Sequence, residues 1–508
     1  MRNIIEQFRA ARRSGTPLIA IETPDPAATM SAIVQGMNGK NPPFLQWDII
    51  QGLTPMNENG SKQIQRLDVS KEELAMRSTN PTEMLSLLAK LQGESIVFMH
   101  NAQRFIDSES VMQAIWNLRD IFKGRMNTLV LLGPSINLPA ELTRDVIVMD
   151  EPLPDDENLG AIADTIYQSA RAALVELKDM SKKQRADVVR ASRGLSAFSA
   201  EQAISMSISP KAGIDVTELW EYKRKMIEST KGLSFVRDGL TYSDIGGLAA
   251  IKSFTTALFD GPKPPTVVCW IDEIEKALGG ASGPTGDTSG TSQDQLGVLL
   301  KNLEDSDASG LIAVGPPGAG KSLLAKALGA TYKVPTIFVD LGAAKGSFVG
   351  QSENQIRAMM KQINALAGVG GAFWIATANR LDVIPPELRR RFRYGTWVFA
   401  LPDKAEREQI WRLNLLKYGI DVQSERPDDE GMTGADIRSL CELSWRLRCS
   451  LPEATRYITP VAVSNPESID RIYKNADGRF LSASYGGLFR NPKEQTGLPI
   501  AIGRKIGV

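Results

Sequence analysis

GPPGAGKS, Gly315 to Ser322, follows the strand-like LIAV and opens the helical LLAKALGAT. The string fits the phosphate-loop pattern G-x-x-x-x-G-K-[ST] in the strand–loop–helix setting that the pattern needs. Glycines let main-chain N–H groups close around a β-phosphate, and the helix that follows offers the positive end of its dipole. Gly315, Pro316, Pro317, Gly318, Ala319, Gly320, Lys321, Ser322 and Leu323 are therefore the expected ATP-binding segment. Lys321 should reach the β- and γ-phosphates. The Ser322 hydroxyl should meet Mg2+, a hard cation that favours oxygen ligands.

A second string completes the chemistry. VVCWIDEIEK, from Val267, is an apolar strand ending in Asp272 and Glu273. In open α/β folds the carboxyl edge of the sheet is where ligands bind. Asp272 is expected to position the hydrated Mg2+, and Glu273 to orient or deprotonate an attacking water. Alone, an Asp-Glu pair after a strand is a polar strand end; beside a phosphate loop it reads as catalytic.

Composition narrows the class. The 508 residues are enough for two domains, each with its own core. Lys plus Arg equals Asp plus Glu at 59 each, so no global field draws the chain to nucleic acid or anionic lipid, although a local basic patch stays open. Cys269, Cys441 and Cys449 have no paired spacing and there is 1 histidine, which leaves disulfide frameworks, zinc sites and His-based catalysis without support. No apolar run reaches the roughly 18 residues that would span a bilayer. The opening MRNIIEQFRAARRSG has helical spacing, so no targeting segment and a cytoplasmic protein are expected.

The fold class is α/β, and the architecture is written twice. PLIAIET from Pro17, PFLQWDII, SIVFMH and NTLVLLG alternate with helical stretches, and residues 155 to about 228 then read as helices without a convincing strand. TVVCWID, LIAVG, PTIFVDL and AFWIATA repeat the scheme before a helical region that begins near Asp403. SIVFMHNAQRF at Ser95 matches TVVCWIDEIEK at Thr266. NTLVLLGPSINLPAELTRDVIVMDEPLPD at Asn127 matches AFWIATANRLDVIPPELRRRFRYGTWVFALPD at Ala372, down to PxEL and LPD. GLSAFSAEQAIS at Gly194 echoes GMTGADIRSLCELS at Gly431. The matches keep one order and indicate duplication; two unrelated α/β domains are the alternative. Expected boundaries are 1–154 for a first α/β core, 155–228 for a helical subdomain and linker, 229–402 for a second core and 403–508 for a helical lid and C-terminal tail.

With these residues in view, the chain resembles the AAA family within the AAA+ ATPases over both halves, and most closely the AAA ATPases of chloroplast genomes and cyanobacteria, whose degenerate first domain opens in a way similar to PLIAIET. The resemblance implies two modules, each a parallel αβα core with a helical lid. YSDIGGL, Tyr242 to Leu248, is similar to the segment whose backbone holds adenine, which makes Asp244, Ile245 and Gly246 nucleotide contacts; as a bare string it could be an ordinary turn. IATAN looks like the sensor strand, whose tip, Asn379, would report on the γ-phosphate and help hold the lytic water; a strand-end Asn capping a turn is the plainer reading. PPELRRRFR supplies Arg391 and Arg389 near where the family carries fingers that enter a neighbouring subunit's site, although Arg390 replaces the usual Gly; a solvated basic edge is the alternative. MTGADI is similar to the family's lid motif, which makes Gly434 and Ala435 nucleotide contacts. KGSFVGQSE sets Phe348, Val349 and Gly350 where AAA unfoldases carry an aromatic pore loop that grips an extended polypeptide, against the ordinary use of a Phe in a core. What the resemblance implies is an ATP hydrolase working as a homo-oligomeric ring, a hexamer, on a polypeptide.

One departure from the family matters more than the rest: the acidic strand at Thr266 precedes the phosphate loop, whereas the family places it after. Moved to follow KQINALAG, the segment TVVCWIDEIEKALGG…LLKNLEDSDASG would restore the usual order; the joints lie at GPKPP, SDASG and AGVGG, all turn-prone. The expectation is the usual site with rearranged strand connectivity, against a disrupted ATPase that binds nucleotide without turning it over. GGASGPTGDTSGTSQDQ, after the acidic strand, reads as a mobile loop or linker. In the first half ETPDPAATM stands in place of the phosphate loop, and His100 and Asn101 in place of the acidic pair, so no hydrolysis is expected there, and His100 is read as a strand-end structural residue. A nucleic-acid motor and a non-hydrolysing ATP-bound scaffold are the other functional classes.

Overall fold

The computed structural model describes residues 4–37, 41–67, 69–173, 177, 179–209, 213–237, 239–278, 301, 303, 309–343 and 351–492. The chain divides into two compact units, Met1–Leu219 and Trp220–Val508. Phe348, Val349 and Gly350, and the GGASGPTGDTSGTSQDQ stretch, lie outside the described residues.

In the first unit, β1 (Leu18–Glu22), β2 (Phe44–Asp48), β3 (Gly52–Pro55), β4 (Ile96–Met99), β5 (Thr128–Gly133) and β6 (Ile147–Asp150) form one sheet in the spatial order β3-β2-β4-β5-β1-β6. All neighbours are parallel except β2 and β3, which form an antiparallel hairpin. Successive side chains of a strand point to opposite faces, and both faces are buried. Leu18, Ala20, Val97, Leu129 and Leu131 join one core, while Ile19, Ile21, Ile96, Phe98 and Val130 join the other. That explains the near-continuous apolar runs in the sequence. Three helices, Asp156–Ala173, Lys182–Ser192 and Ala197–Met206, follow the sheet. The expected strand-free stretch also holds a short antiparallel pair, β7 (Ile208–Ser209) and β8 (Gly213–Ile214), too brief to leave an alternating pattern.

The second unit contains β9 (Leu233–Phe235), β10 (Val267–Ile271), β11 (Ser309–Val314), β12 (Thr336–Val339), β13 (Ala372–Ala378), β14 (Thr396–Val398) and β15 (Leu481–Ser482). Their spatial order is β15-β14-β11-β13-β10-β12-β9, with only the β9–β12 pair antiparallel. Read from β9 to β14, this sheet repeats the first from β3 to β6 strand for strand. Chain order differs: β4 is reached after β1 and β2, whereas its counterpart β10 is reached before β11 and β12. The sheet is again buried on both sides, with Trp374 and Phe373 lying on opposite faces. Each fully buried aliphatic side chain in such a core contributes about 1.5–3 kcal/mol.

A helical lid follows β14. Helix Lys404–Tyr418 starts in a capping box between Asp403 and Glu406, and helix Gly434–Leu447 in one between Thr433 and Asp436, so the exposed first-turn N–H groups are satisfied locally. Ile410, Trp411, Leu415, Ile437, Leu440 and Cys441 form its own small core. Beyond the lid the chain returns to the sheet: helix Pro466–Ala476 buries Ile469, Ile472 and Tyr473 in the main core, and β15 pairs with β14. The Leu401 N–H, on the way into the lid, donates to the Tyr473 hydroxyl at 2.8 Å.

Two strand-end turns show how deep the repeat runs. Asn101, after β4, and Glu273, after β10, both adopt left-handed backbone, with φ of 52° and 47°. His100, just before Asn101, is half-buried. Burial lowers the pKa of its imidazole, with Asp48 acting in the opposite direction. The folded state therefore protonates at lower pH than the unfolded chain, and this contribution to stability, intact above the unfolded value, is lost as the pH falls through the folded one. As the chain has 1 histidine, an NMR titration of histidine-labelled protein should give a single midpoint below the ordinary 6.5; a midpoint at or above it would contradict the burial argument.

Candidate active site

Parallel register brings the chemistry together. Ile271 of β10 pairs with Ala376 of β13, and Val314 of β11 pairs with Ala378. The three strands thus end side by side, and the next residues of each, Asp272-Glu273, Thr377 to Asn379 and Gly315, share one edge. Thr377 is the node. Its hydroxyl donates to Asp272 Oδ1 at 2.6 Å and accepts the Glu273 N–H at 2.9 Å. Ser322 Oγ donates to the same Asp272 oxygen at 2.8 Å. Asn379 Nδ2 donates to Glu273 Oε1 at 3.0 Å, its main-chain N–H donates to Glu275 Oε1 at 2.8 Å, and Lys276 forms an ion pair with Glu273 Oε2. Left-handed backbone at a non-glycine residue such as Glu273 costs about 1–3 kcal/mol and persists where surrounding bonds over-determine it, as these do.

The phosphate loop lies across this edge. Lys321 begins helix Lys321–Tyr332 and is 6% exposed; its Nζ donates to the carbonyls of Gly315 and Pro316, both at 2.8 Å. Burial pushes its ammonium down to about 8, while Glu275, Asp272 and Glu273 pull the other way. Gly318 has φ +79°, and a Cβ there would lie 2.6 Å from Thr433 Oγ1 and 2.9 Å from Ala435 Cβ, so the position needs glycine both for its backbone and for the lid's approach. The Ala435 N–H points at the Gly318 carbonyl at 3.4 Å. Gly434, beside it, faces Ile410.

The DIGGL segment closes the other side. Ile245 is buried, Gly246 packs on the Ile410 backbone, and the N–H groups of Gly247 and Leu248 donate to Gln409 and Glu406 of the lid helix at 3.0 and 2.9 Å. The Asp244 carboxylate is taken up locally, accepting from the N–H and hydroxyl of Thr241 at 2.8 and 3.0 Å. Arg389 and Arg391 are half-buried on the short helix Pro386–Arg391. Thr377 and Glu275 were not anticipated from sequence, although both stand inside the strings IATAN and DEIEK; nothing local distinguishes a hydroxyl or carboxylate whose partner lies across a strand gap.

Hydroxyl and carboxylate oxygens in contact, Ser322 and Asp272, suit Mg2+. Among the described residues no group of three or more His, Cys, Asp or Glu side chains could hold a metal unaided. An ion here would complete its shell with phosphate and water, the usual habit of Mg2+.

Comparison with known proteins agrees with this geometry. Residues 4–151 match the model of the SpoVK-like AAA ATPase N-terminal domain, and residues 311–369 match that of the ATPase family associated with various cellular activities. The uncharacterized AAA domain-containing protein ycf46 of Pyropia yezoensis is 24% identical, over 95% of this chain and 99% of its own. That of Guillardia theta is 24% identical over 82% and 80%. The ATP-dependent zinc metalloprotease FtsH of Haemophilus influenzae is 28% identical over 28% of this chain and 30% of its own. Among the described residues no helix is long and apolar enough to cross a membrane. The phosphate loop and the twice-built sheet thus stand beside a SpoVK-like AAA match in the first half, a match to the ATPase family associated with various cellular activities in the second, and similarity along most of the chain to the ycf46 proteins.

Proposed function

We propose that the second unit is a Mg2+-dependent ATP hydrolase, and that its turnover drives the remodelling or threading of a polypeptide by a ring of identical chains, a hexamer. The observation that carries this reading is the network joining Ser322, Asp272, Thr377, Glu273 and Asn379 beside a buried phosphate-loop lysine. Lys321 would exchange its two carbonyl acceptors for β- and γ-phosphate oxygens, while the N–H groups of Gly318 to Leu323 close around the β-phosphate. Asp272 and Ser322 would hold Mg2+, which when bound neutralises charge on the phosphate oxygens. Glu273 would take the proton of the attacking water, with Asn379 fixing the carboxylate that receives it. Ile245, Gly246, Gly434 and Ala435 would enclose the base and sugar, and Asp244 would contribute through its main chain. Arg389 and Arg391 would enter the site of the adjacent copy.

The acidic segment is read as transposed within the family's order. Two facts support this: the matched AAA segment stops at residue 369, in the AGVGG joint, and the first unit reaches the equivalent strand later in its own sequence. The first unit is read as a non-hydrolysing copy. The Asp25 carboxylate caps helix Pro26–Gly36 at 3.1 Å from the Ala28 N–H, and the Thr29 hydroxyl donates to Glu151, so protein anions occupy the helix end that a phosphate would need. A polypeptide substrate is favoured by the partial likeness to an ATP-dependent protease; that shared segment carries no argument for proteolysis. A scaffold that binds ATP without hydrolysis is the second reading, favoured by the degenerate first unit.

Steady-state ATP turnover of the purified chain should fall about 100- to 10,000-fold in Glu273→Gln, with nucleotide still bound and a larger assembly retained. No turnover in either protein, with nucleotide still bound, would support the scaffold, and equal turnover in both would remove Glu273 from the reaction. Thr377→Val should leave the fold intact at a cost of about 1–3 kcal/mol, since it orphans the Glu273 N–H and one Asp272 contact, and should lower kcat more than it raises KM; an unchanged kcat would remove Thr377 from the site. Mixing the inactive Glu273→Gln with Arg391→Ala should restore part of the turnover if sites are shared between copies. No recovery from that mixture, or from one with Arg389→Ala, would argue for self-contained sites.

A further inference from the structure

Three acidic side chains gather where β10 ends, and two of them, Asp272 and Glu273, have roles in the proposed reaction. The third, Glu275, lies in the first turn of helix Ile274–Leu278. Past Ala378 the β11–β13 ladder is over, so the Asn379 N–H needs an acceptor outside the sheet. Glu275 Oε1 supplies it at 2.8 Å, while the side chain of the same asparagine donates to Glu273 Oε1 at 3.0 Å. Asn379 is therefore gripped at two points by one helical turn, by its backbone through Glu275 and by its amide through Glu273.

The remaining oxygen of Glu275, Oε2, is buried and has no hydrogen-bond partner among the described residues. An unpaired buried acceptor is a cost that a position selected for packing alone has no reason to keep. Its electrostatic setting agrees with a role in the site: Glu275, together with Asp272 and Glu273, works against the burial that lowers the Lys321 ammonium, and burial pushes the Glu275 carboxyl above its ordinary range.

We propose that Glu275 is a positioning residue for ATP hydrolysis, whose acceptance of the Asn379 N–H fixes the tip of β13 against the turn after β10 and so sets the direction in which the Asn379 amide meets Glu273 and the reacting γ-phosphate. This rests on the hydrolase reading and adds to it a residue on which that reading does not draw. The grip acts on geometry and not on nucleotide affinity, so its loss should appear in kcat and spare KM.

Two variants separate the possibilities. Glu275→Leu removes the acceptor at similar size; Glu275→Gln keeps a carbonyl oxygen for the Asn379 N–H. Glu275→Leu should lower kcat about 10- to 100-fold while KM for ATP moves by less than about threefold, and Glu275→Gln should recover most of the lost turnover. Hydrogen exchange in the nucleotide-free protein gives a readout independent of activity: the peptide containing Asn379 should exchange faster in Glu275→Leu than in wild type, and at the wild-type rate in Glu275→Gln. An unchanged kcat in Glu275→Leu, a Gln variant as impaired as the Leu variant, or exchange at Asn379 that ignores the substitution would each overturn the proposal. If no form hydrolyses ATP while exchange follows the expected pattern, the grip on Asn379 is upheld and the hydrolase reading is what fails.

Discussion

The hydrogen-bond register of three parallel strands is the constraint on which the second unit depends. With Ile271 opposite Ala376 and Val314 opposite Ala378, Thr377 falls between the acidic pair and the phosphate loop, where one hydroxyl can serve Asp272 and Glu273 together. Parallel strands have a period of two, so a slip of one residue would turn Thr377 to the opposite face and leave the left-handed turn at Glu273 without its anchor. Chain order does not enter this condition. What the chemistry needs is which strand lies beside which, and β10 lies beside β13 even though the sequence reaches it before the phosphate loop.

Charge follows from the same placement. A buried lysine among three carboxylates is held in water-poor surroundings, and burial outweighs attraction, which is why its ammonium is driven down to about 8. The first unit has the same sheet and the same left-handed strand-end turn but carries no lysine at the start of helix Pro26–Gly36; Asp25, Glu151 and two threonines close that position among themselves. The same scaffold thus carries a lysine at the helix N-terminus in one unit and closes that position with internal anions in the other.

Much of this was legible in the sequence because the decisive strings are local. GPPGAGKS carries its own turn chemistry, VVCWIDE shows a buried strand with a polar end, and the apolar runs of both halves announce sheets covered on two sides. The doubling was visible as well, through SIVFMHNAQRF against TVVCWIDEIEK. Other features depend on contacts between distant segments. Glu275 and Thr377 look like ordinary polar residues until β10 and β13 are set side by side. The return of residues 466–489 to the core was hidden because Ile469, Ile472 and Tyr473 have the helical spacing of any amphipathic helix, and spacing does not say which core a helix covers.

That return changes the mechanics of the lid. The chain leaves the sheet at β14 and re-enters it at β15, the adjacent strand, and the Leu401 N–H is tied to the Tyr473 hydroxyl. The lid is therefore a flap with both ends fastened to one edge of the same sheet. A flap held by a single strap can swing and twist freely; one held by two neighbouring straps has a defined pivot line and rocks about it. Because the Ala435 N–H lies 3.4 Å from the Gly318 carbonyl, a displacement of the phosphate loop would press directly on the lid, and a lid fastened at two neighbouring strands would answer by rocking more readily than by sliding.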